Sequence, residues 1–292
     1  MGWILGLGNG VVFRTGSSRA RAWSSYWVDR HPELKTYITG LITPLSHKQV
    51  IRIGEFIEAL KNGLSITNLS DAFDVMYILA GETEESSLKN LVKDSHHCSN
   101  VHSSVFVQYE GFTGDGANDY LNTNYNPSTE GQRFTQNNAS IMVLSRTNIS
   151  GEYCDTGSRL ATTNYLNIFS RLSTDKVSGR LNDRSTVIDG GCIDSRGLFM
   201  LTRNSNLSTG LLGYRNKDAL AKTGTTNSVT IPNTNILIGA RAVVGDNPEC
   251  YSPRQIAFHA MGVYMSTNYR DIICDALANY GTSCGKNFFL MR

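Results

Sequence analysis

The middle of the chain reads Glu110-Gly-Phe-Thr-Gly-Asp-Gly-Ala-Asn-Asp-Tyr-Leu-Asn-Thr-Asn-Tyr-Asn-Pro127. The Asp115-Gly116 pair is a hairpin signal between two β-prone runs. Similar short runs, separated by clusters of Asn, Gly, Ser and Thr, extend along the chain. The predicted strands are Phe73–Ala80, Ser104–Tyr109, Asp119–Thr123, Ala139–Ser145, Tyr165–Leu172, Val177–Leu181, Gly197–Arg203, Gly210–Tyr214, Asn235–Ala242 and Arg254–Tyr264. Regularly spaced short strands without alternating long helices predict a mainly β protein, an antiparallel β-sandwich.

Composition excludes several classes of protein. The chain has 292 residues, 40% of them hydrophobic, with a formal net charge of +2. This hydrophobicity and low net charge exclude disorder, and the charge argues against nucleic acid as a partner. No apolar run is long enough for a transmembrane helix, so we expect no membrane partner. The six cysteines lack C-x-x-C spacing, so we expect free thiols, no metal site and no cofactor.

Two helices are predicted from local signals. Over residues 46–62, Ser46 is placed as the N-cap with Gln49 three residues later, and Gly63 is placed as the stop. A second helix is predicted over 268–280, ended by Gly281. We therefore divide the chain into an N-terminal segment (1–30), a helical connector (31–71) and a sandwich (72–292).

The N-terminal segment holds all three tryptophans of the chain. A folded core normally buries its own tryptophans, so a Gly-rich terminus that carries all of them is typical of a docking segment. The residues predicted to dock are Trp3, Ile4, Leu5, Val11, Val12, Phe13, Trp23, Tyr26 and Trp27.

No catalytic constellation is recognisable in the sequence. The Glu-x-Asp-x-x-Glu strand of β-glucanases is absent, and Glu82, Glu84 and Glu85 lie in a stretch that indicates a loop and a helix start. His96 and His97 are adjacent, so on a strand they would point to opposite faces and chelate a metal poorly. His259 lies in an apolar run and is expected in the core. We predict no catalytic residue, no metal ligand and no enzymatic activity.

One loop region carries candidate ligand-binding residues. Amides and carboxylates in the loops of a sandwich can hydrogen-bond sugar hydroxyls, and aromatic faces can stack on sugar rings. The candidates are Asp115, Asn118, Tyr120, Asn124 and Tyr125. A second interpretation, which these residue types favour, is that the tyrosines are half-buried strand residues and the Asn and Asp residues form turns.

The stretch over residues 110–127 resembles the core hairpin of concanavalin A-like (laminin G-type) jelly rolls in phage structural proteins. Phe73-Asp-Val-Met-Tyr-Ile-Leu-Ala80 resembles the first strand of those domains, and Ser252-Pro-Arg-Gln-Ile-Ala-Phe258 resembles their end. The Gly-rich start followed by Trp23-Ser-Ser-Tyr-Trp27 is similar to the N-termini of appendage proteins from phages of Bacteroides-like gut bacteria.

The resemblance implies a fibre or a head or tail appendage of a virion, made in the host bacterial cytoplasm. Residues 1–30 would dock on other virion proteins, and the sandwich would be displayed for adhesion to a host-surface polysaccharide. Two alternatives remain: a decoration protein that only cements its neighbours, and a capsule depolymerase with an unrecognised carboxylate pair. Fibres are usually trimers, so a homo-oligomer, preferably a trimer, is expected.

Overall fold

The computed structural model describes residues 18–160, 162–185 and 187–289. Six α-helices lie in this part of the chain: α1 (Ser18–Arg30), α2 (Pro32–Ile38), α3 (His47–Leu64), α4 (Glu84–Leu88), α5 (Pro127–Glu130) and α6 (Thr267–Ser283). Short 3-10 turns lie at Leu69–Asp71 and Ser208–Gly210. None of the helices within these ranges is long and apolar enough to cross a membrane.

Sixteen strands form two sheets of eight in the described residues. The first sheet contains β1 (Phe73–Tyr77), β3 (Val105–Val107), β4 (Gly111–Thr113), β6 (Ala139–Ser145), β10 (Gly197–Arg203), β11 (Leu211–Arg215), β12 (Asp218–Ala219) and β16 (Gln255–Gly262). The second contains β2 (Ser99–Val101), β5 (Tyr120–Asn122), β7 (Thr156–Leu160), β8 (Asn164–Phe169), β9 (Ser178–Asp183), β13 (Leu237–Ile238), β14 (Arg241–Val243) and β15 (Asp246–Glu249).

The prediction of a mainly β sandwich with flanking helices is confirmed. In the first sheet the strand order is β12-β11-β10-β6-β16-β4-β3, and β1 also pairs with β16. In the second sheet it is β15-β14-β7-β13-β5-β2, with β8 beside β7 and β9 beside β8. Pairing is antiparallel throughout, apart from the parallel pair of β14 with β7.

The first sheet is buried on both faces. Alternate residues of β6 show this, because Ile141 and Val143 belong to the core between the sheets, whereas Met142 and Leu144 pack toward the helices. Phe56 of α3 and Tyr280 of α6 belong to the same apolar cluster as Met142 and Leu144. The connector over 31–71 therefore shares a hydrophobic core with the sandwich, and burial on both faces explains why β6 is almost continuously apolar.

The glycines predicted to end the two long helices lie inside them. Ser46 caps α3 as predicted and accepts a hydrogen bond from the Gln49 backbone N–H at 3.2 Å. The helix continues past Gly63 to Leu64 and is capped by Ser65, whose φ of 55° is left-handed. A Cβ at Gly63 would lie 2.5 Å from Ile272 of α6, so this glycine serves close helix packing. Likewise, α6 runs past Gly281 to Ser283.

The Asp115-Gly116 turn does not form a hairpin. It connects β4, which pairs with β3 and β16, to β5, which pairs with β2 and β13. The turn signal was correct locally, but the chain passes from one sheet to the other at this point. Asp115 stabilises the turn by accepting the backbone N–H groups of Ala117, Asn118 and Asp119 at 2.8–3.0 Å.

A fully buried ion pair connects the two sheets. Arg254, just before β16, donates to both carboxylate oxygens of Asp155, just before β7, at 3.0 and 3.1 Å. The guanidinium also donates to the carbonyls of Ile149, Tyr153 and Arg171. Asp155 accepts the backbone N–H of Ser170 at 2.7 Å. Both side chains are 0% exposed, so each charge depends on these partners.

We expect Asp155→Asn and Arg254→Gln each to lower the free energy of unfolding by about 3–5 kcal/mol, because each leaves an uncompensated buried charge. Urea denaturation of the full chain measures this loss. Lys217→Gln is the control, because it removes a surface pair with Asp275 and should cost less than about 1 kcal/mol. Equal losses for the buried and the surface variants would contradict the role given to the buried pair.

Candidate functional site

The outer face of the second sheet carries a polar and aromatic surface. Along β8, Leu166 and Ile168 point into the core between the sheets. Tyr165, Asn167 and Phe169 alternate with them and therefore lie on the outer face. The strand register places Asn167 between Gly157 of β7 and Arg180 of β9.

A cleft of about 360 Å³ lies on this face. Strands β8, β9 and β14 supply most of its walls, and the segments before β7, after β8 and after β15 complete it. Its lining residues are Glu152, Tyr165, Phe169, Leu172, Ser178, Arg180, Arg241 and Cys250. The cleft therefore combines two aromatic rings with two guanidinium groups, a carboxylate and a hydroxyl.

The two arginines pack against the aromatic rings. The guanidinium carbon of Arg180 lies 4.2 Å from the centre of the Tyr165 ring. That of Arg241 lies 5.5 Å from the Tyr165 ring and 5.3 Å from the Phe169 ring. Cation–π contacts of this kind stabilise a guanidinium group beside an aromatic ring.

Glu249 binds two of the arginines on this face. Arg241 donates from Nε to Oε1 of Glu249 at 2.8 Å, and Arg159 also hydrogen-bonds this carboxylate. Burial alone would raise the pKa of Glu249, but the hydrogen bonds and charges of Arg159 and Arg241 lower it. One carboxylate is therefore shared by two guanidinium groups.

Burial affects the pKa of Arg180 and the hydrogen bonding of Asn167, which also lie on this face. It lowers the pKa of Arg180, against a smaller opposing effect of Tyr165. Asn167 is 0% exposed, and neither oxygen nor nitrogen of its side-chain amide has a hydrogen-bond partner. A buried amide without partners is unfavourable by about 1–3 kcal/mol for each group. The centre of this face thus holds the partly buried guanidinium of Arg180 beside the amide of Asn167, which has no hydrogen-bond partner.

The structure separates the five predicted ligand-binding residues. Asp115 and Asn118 are exposed in the turn between the sheets, and the backbone hydrogen bonds of Asn118, Ala117 and Asp119 lower the pKa of Asp115 to about 2. Tyr120 is half-buried, and its ring centre lies 6.2 Å from that of Tyr251.

The other two predicted residues support the fold. Tyr125 is 0% exposed and donates its hydroxyl proton to Asp74 at 2.8 Å, so it cannot contact a ligand at the surface. Asn124 is exposed, but its amide donates to the His97 carbonyl at 2.7 Å and to the Ser99 hydroxyl at 2.9 Å. These contacts fit the turn-and-strand interpretation of this region.

The predicted docking residues fall mainly outside the described part of the chain. These are Trp3, Ile4, Leu5, Val11, Val12 and Phe13, and nothing is described of the Trp23 side chain. Tyr26 is 47% exposed. Trp27 stacks on His31, with ring centres 5.6 Å apart, and lies against α3, where a Cβ at Gly54 would approach it to 2.8 Å. Docking on virion proteins stays a prediction.

The histidines occupy the kinds of place expected for them. His96 and His97 bind loop groups, the Asn124 carbonyl and Asp94 respectively. His259 is fully buried, with its Nε2 3.0 Å from the Thr156 hydroxyl, and burial lowers its pKa to about 3. Within the described ranges, no group of three or more His, Cys, Asp or Glu residues is placed to hold a metal ion.

The cleft residues were missed by the sequence analysis, although a signal for them exists. Arg180 lies inside the predicted strand Val177–Leu181, and Arg241 lies inside Asn235–Ala242. An arginine within a strand must lie on a face that can hold its charge. This pattern alone does not identify an outer face, because Arg203 in the predicted strand Gly197–Arg203 is fully buried with Asp183. Nor does it show that Arg180 and Arg241 meet across β7 and β8.

Comparison with known proteins supports the fold. No family model and no curated protein matches the chain. A mutant of Trypanosoma rangeli sialidase displaying trans-sialidase activity matches with a TM-score of 0.53 at 8% identity, over 78% of this chain and 39% of that one. The same organism's sialidase in complex with 2,3-difluorosialic acid matches with a TM-score of 0.50 at 10% identity, over 79% and 39%. The chain thus spans about two fifths of the length of these sialidases.

At these identities the likeness shows the fold alone. It supports a β-sandwich fold, as the resemblance to jelly-roll domains implied. The link to phage structural proteins stays a prediction. The comparisons contradict the prediction that the chain is not an enzyme, because the matching fold occurs in chains of an enzyme. The missing Glu-x-Asp-x-x-Glu strand therefore excludes only one arrangement of carboxylates, and does not exclude catalysis.

Proposed function

We propose that the chain is a glycan-binding β-sandwich of a phage virion appendage, with the cleft on the outer face of the second sheet as its ligand site. The observation that carries the proposal is the grouping of Tyr165, Phe169, Arg180 and Arg241 around a cleft of about 360 Å³. This volume falls within the range of about 300–1,000 Å³ typical of small-ligand sites.

A sugar fits this lining because it presents both apolar C–H faces and many hydroxyl groups. The aromatic rings offer apolar contact, and the guanidinium N–H groups donate to ring and hydroxyl oxygens. Glu152 at the exposed rim supplies a carboxylate that accepts from sugar hydroxyls. The fold also occurs in a sialidase solved in complex with 2,3-difluorosialic acid, which supports a sugar as the ligand class.

The placement on a virion rests on the resemblance of part of residues 1–27 and most of residues 72–292 to phage appendage proteins. In this proposal residues 1–17 dock on other virion proteins. The helix α1 packs on α3 and covers part of the helical layer. The sandwich is displayed outward, with the cleft directed to a host-surface polysaccharide.

We expect the full chain to bind a subset of glycans on an array of bacterial surface polysaccharides. Arg180→Gln and Tyr165→Ala should each weaken that binding about tenfold or more, because each removes a charged hydrogen-bond donor or the ring that orients it. Asn118→Ala, in the turn between the sheets, is the matched control and should bind like the unmodified chain.

Loss of binding in Asn118→Ala, with no loss in the cleft variants, would move the ligand site to the turn. Absence of binding to any glycan would contradict the proposed function and favour a purely structural decoration protein. The glycans that bind are also assayed for new reducing ends, whose release would add hydrolysis to the proposed activity.

Deletion of residues 1–17 should keep the chain out of purified phage particles while glycan binding is retained. We choose this deletion because Trp27 and Val28 pack against the helical layer, so deletion of residues 1–30 would also remove part of the core. Mass spectrometry of purified particles measures incorporation. Normal incorporation of the shortened chain would contradict docking through this segment.

A further inference from the structure

We infer that the cleft binds the carboxylate of an acidic sugar, a uronic acid or a related residue of a host polysaccharide, through the guanidinium groups of Arg180 and Arg241. The inference rests on the proposed function, because it names the ligand class of the same site. It is carried by the balance of hydrogen-bond donors and acceptors in the lining.

The lining is rich in donors. Each guanidinium carries five N–H groups and no acceptor. Against them stand the hydroxyls of Tyr165 and Ser178, which accept as well as donate, and the carboxylate of Glu152, which is at the exposed rim. A neutral sugar presents hydroxyls that donate as well as accept, so it needs a mixed lining. A carboxylate only accepts, so it matches a donor-rich cleft.

The charges on this face also favour a carboxylate as the ligand group. Arg159, Arg180 and Arg241 lie together, and Glu249 accepts hydrogen bonds from Arg159 and Arg241. Two positive charges thus share one negative charge at this point of the face. A ligand carboxylate beside Arg241 would supply a second negative charge and form the bidentate pair that guanidinium groups favour.

The aromatic rings restrict the positions of the two guanidinium groups. Arg180 lies over Tyr165, and Arg241 lies near both Tyr165 and Phe169. A guanidinium that stacks on a ring hydrogen-bonds through its in-plane edge, where bidentate pairing with a carboxylate occurs. Little rotamer freedom is then lost when the ligand binds.

Partial dehydration strengthens the attraction of this face for an anion. Arg180 is half-buried, so its cation is partly shielded from bulk water, and this burial lowers its pKa. A charge pair formed there is stronger than one formed in water.

The test compares matched polysaccharides on the same full chain. Polygalacturonate, polyglucuronate and alginate are each presented beside their carboxyl-reduced forms, which keep the sugar ring and lose only the charge. Binding is measured by calorimetry in about 0.15 M salt, where long-range charge attraction is screened. At least one acidic polymer should bind about tenfold or more tightly than its reduced form. Arg180→Gln should remove that difference.

Two controls distinguish recognition of a carboxylate from non-specific attraction between opposite charges. Dextran sulfate carries a dense negative charge without carboxylates and should bind weakly at this salt concentration. Arg196→Gln removes an arginine paired with Asp194 outside the cleft and should keep the preference for the acidic form.

Each outcome bears on one claim. Equal binding of acidic and carboxyl-reduced polymers would overturn the inference, as would binding of neutral glycans alone on the polysaccharide array, and both would leave the proposed function standing. Dextran sulfate binding as tightly as the best polyuronate would also overturn the inference. Absence of binding to every polymer and every glycan on the array would overturn the proposed function itself.

Discussion

The buried pair of Arg254 and Asp155 is one of two fully buried ion pairs that connect the sheets, the other being Arg203 of β10 with Asp183 of β9. Its cost of desolvation is offset only by the set of carbonyl and N–H partners that surrounds it. Those partners lie in the segment 149–155 and in the segment just after β8. The same two segments carry Glu152 and Leu172, which line the cleft. This connection between the sheets therefore also positions the segments that carry two lining residues of the proposed ligand site.

The features that could be predicted from the sequence are those set by local contacts. The N-cap and apolar stripe of α3 lie within one helix, and β6 and β10 have the predicted bounds because their apolar runs are continuous. The sheet to which a strand belongs is set by distant partners. Residues 110–127 show the limit, since Asp115 makes the expected turn while the strands on either side join different sheets. Strand β7 was not predicted, because Thr156-Gly-Ser-Arg-Leu160 lacks the apolar alternation of a strand.

The same dependence on partners distant in the sequence explains why the candidate site could not be predicted. Arg180 and Arg241 are sixty-one residues apart in the sequence, and only the register of β9, β8, β7 and β14 brings them to the rings of Tyr165 and Phe169. Tyr125 fails as a surface residue for a similar reason, because its burial depends on Asp74 of β1. The stretch that best indicates the fold is thus occupied by turn and core contacts, and the chemistry lies on strands that resembled ordinary sandwich strands.

The central claim is that the outer face of the second sheet, and not the turn between the sheets, binds the ligand. The most direct test is a titration of the isotope-labelled full chain with the tightest-binding oligosaccharide, followed by NMR of backbone amides and arginine Nε–H groups. We predict shifts at the Nε–H groups of Arg180 and Arg241 and along β8, with Asp115, Asn118 and Tyr120 unchanged. Shifts confined to residues 115–120, with the arginine signals unmoved, would contradict the account.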